Sequence, residues 1–195
     1  MKKLYIIAGC NGAGKTTASF TLLPEILNCK EFVNADEIAK GLSPFQPEKV
    51  AIEAGRLMLK RIDELISQNV NFAFETTLAT KSYKNKIKVA KENGYHVILL
   101  FYWLQDTELA IERVKLRVKE GGHSIESEII RRRFHNGIKN FFDIYYSIVD
   151  EILLFDNSDN SLEFIAEKKN NSTDLTVYNK DKFQLFKEYY NEKEY

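Results

Sequence analysis

Between residues 9 and 16 the chain reads Gly-Cys-Asn-Gly-Ala-Gly-Lys-Thr, a spacing suited to holding a polyphosphate. Gly9, Gly12 and Gly14 let the backbone curl so that successive N–H groups, and the N-terminus of the helix that follows, face the same phosphate oxygens. Lys15 then reaches the outer phosphates and the Thr16 hydroxyl is placed for Mg²⁺. The pattern G-x-x-x-x-G-K-[ST] counts only between a strand and a helix. That context is present: the apolar run Leu4 to Ala8 reads as a buried strand and a helix starts near Thr16. Two other readings compete, a plain glycine turn with a solvated lysine and a dinucleotide loop with Asp36 as its ribose-binding acid. The glycines run G-x-x-G-x-G rather than G-x-G-x-x-G, and a redox loop has no use for Lys15 and Thr16.

A GTP switch would need Asn-Lys-x-Asp after a strand, and Asn85-Lys86-Ile87-Lys88 and Asn179-Lys180-Asp181-Lys182 both fail that pattern. Motor and transporter ATPases carry four apolar residues ending in an acid. Ile152-Leu153-Leu154-Phe155-Asp156 fits loosely, but Asp156 with Asn157 and Ser158 reads better as a strand-end turn. A small kinase needs a base for the acceptor hydroxyl, groups that hold the acceptor, and a cationic lid. Asp36, with Asn34 and Glu37, follows the second strand candidate; the bland alternative for Asp36 is a helix N-cap. Glu75-Thr76-Thr77 ends the third, where the alternative is a strand-end cap.

Residues 113 to 133 hold seven basic side chains against three acidic ones. Arg113 and Arg117 stack on one helix face, and Gly121-Gly122 supplies a stop and a hinge. The next helix buries a stripe of Ile130, Phe134, Ile138, Phe141 and Tyr145, which Arg131 borders, while Arg132 points away and Arg133 lies between. This geometry favours Arg131 as the inward arginine. A solvated helix face is the alternative for any one of them. His123 reads as a lid turn residue, since no second ligand cluster accompanies it.

Positioning these groups requires strands that end at one edge. Strand candidates are Leu4 to Ala8, Glu31 to Asn34, Val70 to Phe74, Tyr95 to Trp103 and Glu151 to Phe155. Helical segments run from about Thr16 to Leu23, Pro47 to Gln68, Ser82 to Asn93, Thr107 to Glu120 and Ser127 to Val149. Their alternation predicts an α/β P-loop fold of three layers, a parallel sheet with helices on both faces, where ligands bind beyond the carboxyl ends of the strands. A small C-terminal hairpin, Phe164 to Lys169 and Asp174 to Tyr178 about the turn Asn170 to Thr173, and a helix near Lys182 to Tyr190 form an appendage from about residue 161 on this single domain.

The 195 residues carry 28 basic and 28 acidic side chains, which argues against a protein that binds nucleic acid or a membrane by bulk charge. No apolar run approaches the roughly 20 residues that span a bilayer, and the short run after Lys2 and Lys3 is not a signal peptide core. Two cysteines, Cys10 and Cys29, fit a reducing compartment, so the cytosol is expected.

Gly9 to Thr17, Asn34-Ala35-Asp36-Glu37-Ile38-Ala39, Phe74-Glu75-Thr76-Thr77-Leu78, and Arg113-Val114 through Arg117-Val118 to Gly121-Gly122-His123-x-Ile125 together resemble zeta-toxin-like P-loop kinases. The resemblance implies an adenylate-kinase-like core, ATP and Mg²⁺, and phosphoryl transfer to a hydroxyl of a sugar-containing metabolite, in zeta toxins UDP-N-acetylglucosamine. It also implies an antitoxin protein as partner. By motif position, Gly9, Asn11, Gly12, Ala13, Gly14, Lys15, Thr16 and Thr17 bind the nucleotide and Thr16 the metal. Asp36 is the base, Glu75 with Thr76 holds the acceptor, and Lys15, Arg117 and Arg131 stabilise charge. Another metabolite kinase, of nucleosides or simple sugars, and a non-catalytic ATP-binding interaction module are the alternatives.

Overall fold

A computed structural model describes residues 1–159, 161–170 and 172–191. Five parallel strands form its centre: β1 (Lys2–Ala8), β2 (Glu31–Val33), β3 (Phe72–Thr76), β4 (Tyr95–Trp103) and β5 (Glu151–Asp156). Their order is β2-β3-β1-β4-β5, so β1, which feeds the phosphate loop, is flanked by β3 and β4. All nine residues of β4 are buried, His96 with the apolar others, as a strand covered on both faces must be. The hairpin, β6 (Glu163–Lys168) and β7 (Thr176–Val177), continues the same sheet: β6 pairs antiparallel with β5.

Helices α1 (Lys15–Thr21), α2 (Ala35–Leu42), α3 (Ala51–Gln68), α4 (Tyr83–Glu92), α5 (Thr107–Lys119), α6 (Ser127–Asn140), α7 (Tyr146–Ile148) and α8 (Lys180–Asn191) surround the sheet. Two wide turns of the π type follow helices: Leu22–Ile26 prolongs α1 past its expected end near Leu23, and Phe141–Tyr145 interrupts the helix expected from Ser127 to Val149. The second lets Phe141 and Tyr145 both stay buried, with the Tyr145 hydroxyl donating to the Thr80 carbonyl at 2.7 Å. Strand β3 begins two residues later than the apolar run suggested. Asn69 ends α3 in a left-handed conformation (φ 61°), and pairing with β1 starts only at Phe72 opposite Leu4. Glu75 therefore lies inside the strand. Among the described residues no helix is long and apolar enough to cross a membrane.

Candidate active site

The phosphate loop is wedged between two other segments, which explains its glycines. Gly12 (φ 81°) approaches so closely that a Cβ there would sit 2.7 Å from the Ala110 carbonyl of α5. At Gly14 (φ 78°) a Cβ would lie 2.4 Å from Asn157 Nδ2, which itself donates to the Ala13 carbonyl at 2.9 Å. Positive φ and close approach together leave only glycine unstrained. Cys10 is buried in this loop, and burial pushes its thiol up to about 11.

Glu75 is the hub beneath the loop. Its Oε2 accepts from the Thr16 hydroxyl at 2.8 Å and from Asn34 Nδ2 at 3.0 Å, and its Oε1 lies 3.5 Å from Lys15 Nζ. Lys15 is buried and also donates to the Cys10 carbonyl at 2.9 Å. Thr76, which the sequence groups with Glu75, goes elsewhere. Adjacent strand residues face opposite ways, and the Thr76 oxygen accepts from the Leu78 N–H at 3.0 Å as a buried strand-end cap. Asn34 caps α2, its Oδ1 accepting from the Asp36 and Glu37 N–H groups at 2.8 and 3.4 Å. That frees the Asp36 carboxylate from the capping role and leaves it half-exposed above the loop, 3.8 Å from His123 Nε2. Burial, ahead of the opposing pull of Asp36, lowers the His123 pKa below its ordinary value.

The arginines separate into distinct roles. Arg113 braces the turn after β5, donating from Nη1 to the Asn157 carbonyl and from Nη2 to the Ser158 carbonyl at 2.7 and 2.8 Å. Arg117 lies beside Gly122 and His123, and its buried Nε and Nη2 find no hydrogen-bond partner among the described residues. An unsatisfied buried donor costs roughly 1–3 kcal/mol. Phosphate oxygens would remove that cost, so the residues present fit a polyanionic nucleotide.

Arg131 is not the inward arginine. It pairs with Glu108 of α5 at 2.5 Å on the outside, Arg132 is exposed, and Arg133 reaches the loop, donating from Nη1 to Asn11 Oδ1 at 3.1 Å. The apolar stripe of α6 has two flanks, and periodicity, which favours Arg131, does not show which of them meets the loop. Gly137 packs its backbone against the Thr77 carbonyl, where a Cβ would lie at 2.7 Å, and Asn140 Nδ2 donates to the Leu78 carbonyl at 2.7 Å. These contacts turn the Arg133 flank toward the strand ends. Burial lowers the Arg133 pKa, against the raising effect of the nearby Asp36 charge.

The family pattern described as zeta toxin matches residues 1–182. The chain belongs to the zeta toxin family. A curated relative, an uncharacterized protein of Haemophilus influenzae, is 32% identical over 140 residues, covering 68% of this chain and 98% of that protein. Among solved structures, a chain of the AvrRxo1-ORF1:-ORF2 complex with ATP superposes with a TM-score of 0.76 at 18% identity, covering 97% of this chain. This chain spans only 64% of that protein's length. A chain of the PezAT chromosomal toxin-antitoxin system of Streptococcus pneumoniae gives 0.63 at 18% identity, covering 97% of this chain and 86% of that one. Shikimate kinase from Acinetobacter baumannii gives 0.50 at 18% identity, over 83% of this chain and 85% of its own. At such identities the likeness shows a kinase-like P-loop fold.

Within this zeta toxin family chain, the acid that meets the loop threonine is Glu75, not Asp156. The sequence holds the signal, since Phe72-Ala73-Phe74-Glu75 is itself an apolar run ending in an acid. What the sequence lacks is the strand order, which sets β3 and not β5 beside β1. Asp156 is buried at the end of β5 and bound to Lys182, Gln105 and Ser158. Arg133 and Asn157 are the site residues that sequence reasoning missed. Gly137 and Asn140, small and polar beside an apolar stripe, are the clue to the first.

Proposed function

We propose that the chain is an ATP-dependent kinase that transfers the γ-phosphoryl group to a hydroxyl of a small, sugar-containing metabolite. The observation that carries this reading is the meeting, above the phosphate loop, of a carboxylate released from capping (Asp36) with a loop-bound Arg133 and an Arg117 whose buried Nε and Nη2 have no partner among the described residues. A binding module needs the loop but not these groups.

Loop amides and Lys15, shifted from the Cys10 carbonyl, hold the β and γ phosphates. Asp36 accepts the proton of the acceptor hydroxyl as its oxygen bonds to the γ phosphorus. The bond from that phosphorus to the β–γ bridging oxygen breaks, and ADP carries the electron pair away. Arg117 and Arg133 neutralise the charge spread over the transferring oxygens. The Thr16 hydroxyl and the Glu75 carboxylate are the groups that would hold Mg²⁺, directly or through water. When bound, that ion neutralises charge between the β and γ phosphates. Asn34 keeps Glu75 in place, so Glu75 acts at the phosphates rather than as a clamp on the acceptor.

UDP-N-acetylglucosamine is the first acceptor to try, on the family resemblance, and an antitoxin protein the first partner, on the likeness to a chain of the PezAT toxin-antitoxin system. Purified protein with labelled ATP and Mg²⁺ is screened against nucleotide sugars, free sugars and nucleosides. Label transfer to one class, lost in Asp36→Asn with ATP binding retained, is the expected result. Binding of ATP without transfer to any hydroxyl compound, unaffected by Asp36→Asn, would favour the interaction module.

A further inference from the structure

The C-terminal helix α8 reaches back toward the nucleotide site, and the tie to a buried charge runs through one side chain. Lys182 Nζ donates to Asp156 Oδ2 at 2.5 Å and to Glu163 Oε2 at 2.8 Å. Asp156 is 1% exposed and, among the described residues, Lys182 is the only cation paired with it. The same carboxylate organises the turn that follows β5. Its Oδ1 accepts from the Ser158 N–H at 2.9 Å and from the Ser158 hydroxyl, and its Oδ2 accepts from Gln105 Nε2 at 2.8 Å. Ser158 Oγ accepts in turn from the Gln105 N–H at 2.8 Å. Between Asp156 and Ser158 stands Asn157, whose amide bonds the Ala13 carbonyl and packs against Gly14. Carbonyls 157 and 158 also fix the Arg113 guanidinium on α5.

We propose that Lys182 is a positioning residue for the nucleotide: by neutralising Asp156 it holds the 156–158 turn, and through Asn157 and Arg113 that turn holds the phosphate loop and α5 in register. The physical reason is the burial of Asp156. A buried carboxylate keeps its charge only with a partner. Without Lys182 it takes up a proton, losing acceptor strength toward Ser158, or pulls the turn toward water. Either way the Asn157 amide leaves the Ala13 carbonyl. A second tie from the same helix, Tyr189 Oη donating to the Gln105 carbonyl at 2.8 Å, steadies the other side of the turn. This inference uses the ATP site of the preceding section, and it concerns affinity for the nucleotide rather than the transfer step.

The test measures ATP affinity by calorimetry, and amide hydrogen exchange of the unliganded protein, in Lys182→Met, Lys182→Arg and Lys91→Met. Lys91 pairs with Asp150 at the opposite end of β5, at 2.8 Å, and serves as the control for general loss of stability. Lys182→Met should weaken ATP binding about tenfold, taking as a guide the lower end of what loss of an outer-shell partner costs a bound metal ion. It should also speed exchange in residues 11–15 and 157–158. Lys182→Arg should restore both, and Lys91→Met should change neither. Should Lys182→Met not fold, Lys182→Gln is the milder variant, with the same pattern expected at smaller size. Normal affinity and normal exchange in the phosphate loop of Lys182→Met, or of Lys182→Gln where Lys182→Met does not fold, would overturn the proposal, as would an equal effect of Lys91→Met. Wild-type protein that binds no ATP, with exchange still following the pattern above, would overturn the nucleotide reading while leaving the clasp standing.

Discussion

The two ends of the sheet are built from similar residues and treat them in opposite ways. At the amino ends of β4 and β5, Lys91 meets Asp150 at 2.8 Å, His96 Nε2 lies 2.8 Å from Glu151, and buried Lys168 donates to the Tyr146 and Val149 carbonyls at 2.6 and 2.8 Å. Every charge there has a close partner. At the carboxyl ends, Arg117 keeps two buried donors without partners among the described residues, Asp36 and His123 stand 3.8 Å apart, and Lys15 is shared between a loop carbonyl and, at a loose 3.5 Å, Glu75. Charges saturated by the fold hold it together, whereas charges left wanting are available to a substrate.

The comparison breaks most visibly at the arginines. An arginine serving a phosphoryl transition state is worth about 10³ to 10⁵ in rate. Arg133→Ala should lose turnover on that scale, while Arg131→Ala, which removes an exposed pair worth about 0–1 kcal/mol, should leave it within a small factor. Steady-state kinetics on both variants decide this, and the reverse ranking would return the role to Arg131. Asp36→Asn should lose about 10² to 10⁴ in turnover, the span of general base catalysis, with the calorimetric affinity for ATP kept.

At the other end the same kind of change should cost stability alone. Burial by itself would raise the Asp150 pKa, but the bonds from Lys91 and from the Val97 N–H outweigh it and hold the carboxyl below its ordinary value. A depressed carboxylate contributes stability above its unfolded pKa and loses it as pH falls through the folded one. Asp150→Asn should therefore cost roughly 1–2 kcal/mol at neutral pH and flatten the acid limb below about pH 4. Denaturant unfolding across pH reads both, and a loss of ATP affinity in the variant would blur the contrast drawn above.

His123 sharpens it more gently. Its folded pKa is lowered by burial, so the neutral form is the one the folded site accepts, and that contribution is present above about pH 6.5 and fades as pH falls. Limited proteolysis of the 113–126 segment should quicken on acidification from about pH 7 to pH 5.5, and His123→Gln should remove the dependence. The smallest effect concerns reactivity. With Cys10 and Cys29 both pushed up to about 11 by burial, alkylation at neutral pH should be negligible by mass spectrometry until the chain is unfolded.

Much of this fold was legible as a string. The glycine spacing from Gly9 to Lys15, the apolar run Val97 to Trp103, and the alternation of strands with helices follow from local rules: backbone freedom, burial on two faces, periodicity. Of the site, the loop itself and Asp36 at the end of β2 were legible because they sit beside strand ends that a period can locate. Helix breaks were not, because the wide turn at Phe141–Tyr145 answers to packing against Thr80 rather than to its own residues.

The sequence by itself determined that a phosphate-loop pattern stands between a strand and a helix, and which residues are candidates to act beside it. Only the tertiary structure decided which of them meet: Arg133 in place of the Arg131 that periodicity favoured, because Gly137 and Asn140 fix the rotation of α6 against the Thr77 and Leu78 carbonyls; and Glu75 at the loop threonine, because the sheet order sets β3 beside β1. It also tied Lys182 to Asp156, 26 positions away in the chain. Periodicity along a chain tells which face a side chain takes on its own element. It carries no information about which neighbour that face will meet, since that contact depends on elements distant in sequence.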